Sequence, residues 1–245
     1  MKQMTTCIAV IAGMIFSGVA IADTAKEPAS EPSAAESVQT FVPPPPEVMF
    51  KLSNEPNFPP LFKEDLSNAI FEKEGWAFEA DVLTAKGKGD IWTRERYGNF
   101  ILSLEFKCEA DTNSGVFFRC GDMDNWLHTC IEAQILQNND DYDNPRHHCG
   151  GIFDCLAPVK QMVKAPGEWN KYVIIALENQ IWVFLNNDLV TYMDLDKWTE
   201  AHKNPDGTPN KFKNAYKDMP REGHIGLQYH GDPVWFRNIR LEKLD

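Results

Sequence analysis

Positive charge is scarce in this chain: 24 Lys and Arg face 36 Asp and Glu among 245 residues, a formal charge of -12. Phosphate backbones and anionic bilayers are held by clustered Lys and Arg, so nucleic acid and an anionic membrane are excluded as expected partners. Long apolar runs are also rare. The run from Ile8 to Ile21 is shorter than the roughly 20 residues of a comfortable membrane span. With Lys2 before it and Ala20-Ile21-Ala22 behind it, it reads as a secretory leader, the alternative being an uncleaved anchor. Cleavage is expected after Ala22, and a periplasmic or secreted location follows, with no membrane contact beyond the export signal. Cys7 precedes the apolar run, which argues against a lipoprotein cysteine.

No C-x-x-C pair is present, so a zinc site lacks its usual spacing. Loss of Lys2 with the leader moves the charge by one, from -12 to -13, and loss of Cys7 leaves Cys108, Cys120, Cys130, Cys149 and Cys155. An odd set in an oxidising compartment leaves at least one thiol outside any disulfide. A long helical period is missing too; Lys160–Val163 and Trp198–His202 make one or two turns at most.

From Asp23 to Glu47 the composition is Ala, Ser, Pro and Glu, closing on Pro43-Pro44-Pro45-Pro46. Such a segment buries too little apolar surface to offset its ordering entropy, so a disordered or polyproline linker is expected over 23–47. A single folded domain is expected over 48–245, large enough to be stable without metal or disulfide. Its body reads as short strands: Asp90–Trp92, Phe100–Phe106, Val116–Cys120, Cys130–Leu136, Tyr172–Leu177, Ile181–Leu185, Ile225–His230 and Val234–Leu241. Aromatic and β-branched residues dominate these runs. Many strands without alternating helices imply an all-β antiparallel sandwich, and protection of sheet edges favours a jelly roll.

Period-two alternation shows which polar side chains share a face. Glu132 and Gln134 lie opposite Ile131, Ala133 and Ile135; Arg119 lies opposite Phe118; Gln228 and His230 lie opposite Ile225, Leu227 and Tyr229. Lys, common on solvated sheet faces, is absent from all three runs. If these faces belong to one sheet, Arg119, Glu132, Gln134, Gln228 and His230 line a common groove; an ordinary solvated face is the alternative.

Five motifs then occur in order: Asn113-Ser114-Gly115-Val116-Phe117-Phe118-Arg119; Glu132-Ala133-Gln134; Gly167-Glu168-Trp169-Asn170; Gly223-His224-Ile225-Gly226-Leu227-Gln228 with His230-Gly231; and Phe236-Arg237-Asn238-Ile239. From about Pro59 to Leu244 the chain resembles the 3-keto-disaccharide hydrolase domain family, which implies a concanavalin A-like jelly roll of two antiparallel sheets. Two departures stand out. Leu61-Phe62 is followed by Lys63-Glu64-Asp65-Leu66 with no tryptophan until Trp76, and Asn186-Asn187 replaces the usual Asn-Gly turn. Laminarinase-type glucanases of the same fold carry Glu-x-Asp-x-x-Glu on one strand. Here Gln134 and Gln137 stand where the second and third acids would be. Retaining hydrolysis needs two carboxyl groups about 5–5.5 Å apart, so that route is disfavoured on this strand.

The resemblance implies a different chemistry. A ketone at carbon 3 acidifies the carbon-2 hydrogen, so one base can form an enolate, expel the glycosidic oxygen and let water add to the double bond. In that scheme Glu132 or His230 is the base and the other the acid, Arg119 holds the enolate oxygen, and Gln134 and Gln228 orient hydroxyls. Asn113 is a further expected carbohydrate contact, and Trp126 and His128, in the loop between two groove strands, are either sugar-stacking contacts or rim residues of no function. A structural Arg119–Glu132 salt bridge and a turn-capping role for His230 are the alternatives.

No cofactor is expected. Asn138 to Asn144 is rich in hard oxygen ligands for a divalent ion such as calcium, but lacks the glycine and terminal glutamate of an EF-hand loop. Nearby His147-His148 raises a transition metal as a further alternative. The polar stretch Lys203–Lys213 is read as covering one end of the groove or as a plain surface loop. Alternation places Cys130 with Glu132 but Cys120 opposite Arg119, so without a bulge these two cysteines face apart and Cys149–Cys155 is the better pair. The overall expectation is an exported enzyme cleaving 3-keto glycosides, against a lectin-like glycan-binding module or an adhesion domain on the same scaffold.

Overall fold

The computed structural model describes residues 41–137 and 143–244. The expected leader, residues 23–40 of the expected linker, and residues 138–142 of the oxygen-rich loop lie outside the described residues. Those described form two sheets in which every strand pair is antiparallel. One sheet has the order β1 (Ala69–Ile70), β4 (Ile91–Thr93), β11 (His224–Leu227), β6 (Asn113–Cys120), β7 (Ile131–Leu136). The other runs β10 (Asp188–Asp194), β9 (Gln180–Leu185), β8 (Asn170–Leu177), β5 (Phe100–Cys108), β12 (Val234–Lys243), β3 (Val82–Ala85), β2 (Trp76–Glu79). This is the expected all-β jelly-roll sandwich. The Asn186-Asn187 turn joins β9 to β10 with both residues left-handed, at φ 53° and 73°, a conformation that asparagine tolerates better than most residues.

Alternation sorts each strand between two environments. Leu102, Leu104 and Phe106 of β5, Val116 and Phe118 of β6, Ile131, Ala133 and Ile135 of β7, and Ile225 and Leu227 of β11 meet in the core between the sheets. The opposite residues of the seven-stranded sheet, including Ile101, Val173, Ile175 and Trp182, form a second apolar layer with Val48, Phe58 and Leu244. The segment from Phe41 to Phe58 covers that layer. It contains α1 (Pro46–Leu52), which starts on proline, whose missing N–H costs nothing at a first helical position. Trp182 Nε1 donates to Val42 O at 2.6 Å, and the Glu55 carboxylate accepts from Ser103 Oγ at 2.7 Å and Lys171 Nζ at 2.9 Å. The boundary expected at Val48 therefore moves: Phe41–Glu47 belong to the folded body, because they close an apolar face that alternation leaves outside the main core.

The regular ladder fails at one point that matters for function. Opposite β11, His224 pairs with Cys120 but Gly226 pairs with Phe117, so β6 carries an extra residue there. Arg119 occupies the bulge at φ 50°, and Gly223 lets the two backbones approach, since a Cβ there would fall 2.3 Å from Arg119 C. The bulge turns the Arg119 side chain inward and returns Cys120 to the face of Phe117.

Candidate active site

The strand registers build the outer face of the five-stranded sheet as two adjacent rows. The first runs Trp92, Gly226, Phe117, Glu132 across β4, β11, β6 and β7. Phe153 extends it: Ile152 pairs with Ala133, and Phe153 N donates to Glu132 O at 3.0 Å. The second row, two residues along each strand, runs Asp90, Gln228, Gly115, Gln134. Gly115 pairs with Gln134, Gln228 N donates to Gly115 O at 3.0 Å, and Tyr229 N donates to Asp90 Oδ1 at 2.9 Å.

Two glycines make room on this face. A Cβ at Gly226 would lie 2.4 Å from the Trp92 ring, and one at Gly115 would lie 2.2 Å from Glu132 Oε1. Trp92 thus lies flat across β11 and stacks on Phe117, with centroids 5.2 Å apart and planes at 9°. The Glu132 carboxyl leans over Gly115 into the second row. Phe117, Trp126, Leu127, Cys130, Glu132 and Phe212 line a small, partly open recess. Trp126 opens α2 (Trp126–Thr129) and packs 4.9 Å from Phe117.

The polar groups on this face are only partly paired. Glu132 is 7% exposed; burial, reinforced by the charge of Asp90 and partly offset by Lys211, pushes its carboxyl up to about 8. The Asp90 carboxyl is raised as well by burial, with the Tyr229 N–H and His230 pulling the other way. Gln134 Nε2 donates to Asn113 Oδ1 at 2.8 Å. The Oε1 atoms of Gln134 and Gln228 are buried without a hydrogen-bond partner among the described residues, a costly state unless a ligand supplies donors. Lys211 Nζ sits 4.7 Å from the centre of the Phe153 ring, while its backbone N–H donates to Asp154 Oδ2 at 2.8 Å.

The structure brings Glu132, Gln134, Gln228, Asn113 and Trp126 together. His230 lies just past β11, exposed, at the Asp90 end of the face. His128 sits on α2, where its carbonyl accepts from Asn214 Nδ2 at 2.7 Å. Its imidazole is held below the usual range by burial, Lys213 and His202, and it is not part of the recess lining.

Arg119 is a correction. The bulge points it between the sheets, where Nε donates to Gly98 O at 2.9 Å, Nη1 to Glu178 O at 2.7 Å and Nη2 to Asn99 Oδ1 at 3.2 Å. Fully buried there, with Arg221 also acting on it, the guanidinium is lowered to about 10. It is neither an enolate clamp nor a salt-bridge partner of Glu132; it ties β6 to the turn between β8 and β9.

The cysteine pairing is corrected by the same bulge: Cys120 and Cys130 form a disulfide. Cys149 and Cys155 do not pair, because the chain between them runs along the edge of β7, with Gly150 N donating to Gln134 O and Gln134 N donating to Gly151 O, both at 3.0 Å. Cys149 Sγ lies 3.3 Å from the Tyr172 hydroxyl, and burial pushes the Cys149 and Cys155 thiols up. His147 lies 2.9 Å from Asp154 Oδ1 and stacks on Phe153. The polar stretch after β10 packs down through buried Asn204, Asn210 and Phe212, bringing Phe212 and Lys211 to the recess.

Sequence reasoning passed over Asp90, Trp92 and Phe153; Lys211 and Phe212 fall in the stretch 203–213, which reads as covering one end of the groove or as a plain surface loop. For the first two a signal existed, since alternation through Asp90-Ile91-Trp92 puts Asp90 and Trp92 on one face. The other three come from segments without a period.

The sequence profile described as the 3-keto-alpha-glucoside-1,2-lyase-like domain matches residues 60–242. The chain belongs to this family. A curated 3-keto-disaccharide hydrolase of Bacteroides thetaiotaomicron is 28% identical over 181 residues, 64% of this chain and 62% of that protein. The match thus spans less than two thirds of its relative's length. A crystal structure from Parabacteroides distasonis, provisionally described as a glycosyl hydrolase, superposes with a TM-score of 0.73 at 39% identity, covering 77% of this chain and 100% of that one. A second protein of that organism, also provisionally described as a glycosyl hydrolase, shares the fold at a TM-score of 0.58 and 24% identity, covering 77% of this chain and 84% of the other.

Proposed function

We propose that the protein cleaves 3-keto glycosides by eliminating the glycosidic oxygen across carbons 1 and 2 and then hydrating the double bond. The observation that carries this reading is Glu132: a buried carboxyl without a hydrogen bond among the described residues, leaning over Gly115 between two amides with unused acceptors. The family's description as 1,2-lyase-like, and the hydrolase name of the curated relative, support elimination followed by hydration, whose sum is hydrolysis.

Burial and Asp90 raise the Glu132 carboxyl to about 8, and Glu132 is the acid that delivers a proton to the departing glycosidic oxygen. A group with a pKa near the working pH is suited to this transfer, which typically contributes about 10²–10⁴ in rate. Gln134 and Gln228 accept from sugar hydroxyls, Trp126 offers an aromatic surface for a ring, and Lys211 is the cation facing Glu132. The leader-like pattern over residues 1–22 supports placing this activity outside the cytoplasm.

The test is incubation of the purified protein with a 3-keto disaccharide in D₂O. Release of a 3-keto monosaccharide labelled at carbon 2 is the expected result, and Glu132→Gln should abolish release. Release without label points to direct hydrolysis, and tight binding without release returns the lectin-like reading; either overturns the proposal.

A further inference from the structure

The proposed reaction needs a base for the carbon-2 proton as well as an acid, and the acid role of Glu132 leaves that position open. Two groups stand at the other end of the face. His230 is exposed and lies beyond the last residue of β11. Asp90 lies just before β4, in register with Gln228, and is half-buried on the face that carries Gln228, Gly115 and Gln134. Its one hydrogen bond among the described residues is the Tyr229 N–H to Oδ1 at 2.9 Å, which fixes the carboxylate and leaves Oδ2 for a substrate. Gly115, having no side chain, lets the Glu132 carboxyl lean over β6 toward Asp90, with Gln228, just past β11, between the two.

We infer that Asp90 is the base that removes the carbon-2 proton, working on the same face as Glu132 with Gln228 between them. This rests on the elimination reading above. The Asp90 carboxylate takes the proton from carbon 2, and the C–H electron pair enters the enolate of the carbon-3 ketone. That pair then forms the carbon 1–carbon 2 double bond as the bond from carbon 1 to the glycosidic oxygen breaks, and the oxygen takes the Glu132 proton. Asp90 is now protonated and Glu132 ionised. Water adds at carbon 1 as Glu132 takes its proton, Asp90 returns a proton to carbon 2, and both groups recover their starting states. Asp90 is charged when Glu132 is neutral, and each charge disfavours the other, so the pair exchanges a single proton deficit through the cycle. The other charged groups facing the pair are Lys211 beside Glu132 and His230 beside Asp90.

The two roles separate experimentally because carbon-2 exchange needs the base alone. With a 3-keto monosaccharide in D₂O there is no leaving group to protonate, and carbon-2 deuteration is read by NMR. Asp90→Asn keeps an acceptor for the Tyr229 N–H, so the backbone contact survives. It should slow both carbon-2 exchange and cleavage of the 3-keto disaccharide by about 10²–10⁴-fold. Glu132→Gln should lose cleavage yet retain exchange. Asp90→Ala with added formate should recover part of the exchange, which a merely structural aspartate would not. Exchange by Asp90→Asn within threefold of wild type, or loss of exchange in Glu132→Gln with retention in Asp90→Asn, would overturn the assignment. Wild-type protein that exchanges carbon 2 but does not cleave would sink the elimination reading while leaving Asp90 as base. Wild-type protein that does neither removes both.

Discussion

Glu132 sets a pH dependence on folding that can be read without any substrate. Its carboxyl moves from 4.5 to about 8 in the folded protein, first because burial disfavours the charge and second because Asp90 faces it. The folded state thus holds this proton more tightly than the unfolded chain. The resulting stabilisation is complete below about pH 4.5, declines as pH rises, and is gone above about pH 8, where the carboxylate must be ionised in place. At 1.36 kcal/mol per pH unit the shift amounts to about 5 kcal/mol at most. Glu132→Gln keeps the volume and removes the ionisation. At pH 5 variant and wild type should melt within a degree or two; by pH 9 the variant should be more stable by about 3–5 kcal/mol. For a domain of this size that corresponds to about 6–20 °C in Tm. Thermal melts and urea midpoints at pH 5, 6, 7, 8 and 9 check this. A difference between the two proteins that stays constant across the series would show that Glu132 titrates as an ordinary surface carboxylate, and the argument for its acid role would go with it.

Gly115→Ala would drive a Cβ into Glu132 Oε1, so the carboxyl must leave its place over β6. Cleavage of a 3-keto disaccharide should fall about 10²-fold, as for an ångström-scale misplacement, with the circular dichroism of the sheets preserved. Arg119→Lys keeps the charge but not the three-way contact to Gly98, Asn99 and Glu178; denaturation should show a loss of about 2–4 kcal/mol, with kcat/KM per folded molecule unchanged. Removing the Cys120–Cys130 disulfide by paired substitution to alanine opens a short loop of sequence separation 10. This should cost about 3 kcal/mol in urea titration and raise KM, because that loop carries Trp126.

Much of the site was legible because alternation holds wherever the ladders are regular. Glu132, Gln134 and Gln228 share a face since β7 pairs with β6 without a slip, and β11 joins them at Gly226 and Leu227. Arg119 was misplaced for a local reason: a single extra residue in β6 reverses the count, and no glycine marks it on that strand. The cysteines held the warning, since strict alternation put Cys120 and Cys130 on opposite faces and only a bulge reconciles them with a disulfide. The β4 run was read, but Asp90 was not weighed as part of the site because only three residues of ladder follow it. Lys211 and Phe153 arrive through folded loops, where position depends on contacts such as Asp154 with the Lys211 N–H and not on any period. The strands β1, β2, β3 and β10 are short or interrupted, and their pairing is set by tertiary neighbours.

The strap from Phe41 to Phe58 lies on the back of the molecule, over the sheet that does not bear Glu132. Phe41 itself therefore lies on the side of the body remote from the face that bears Glu132. A support joined at Phe41 would hold the protein by that side and leave the outer face of the five-stranded sheet, with Glu132, Gln134 and Gln228, turned outward.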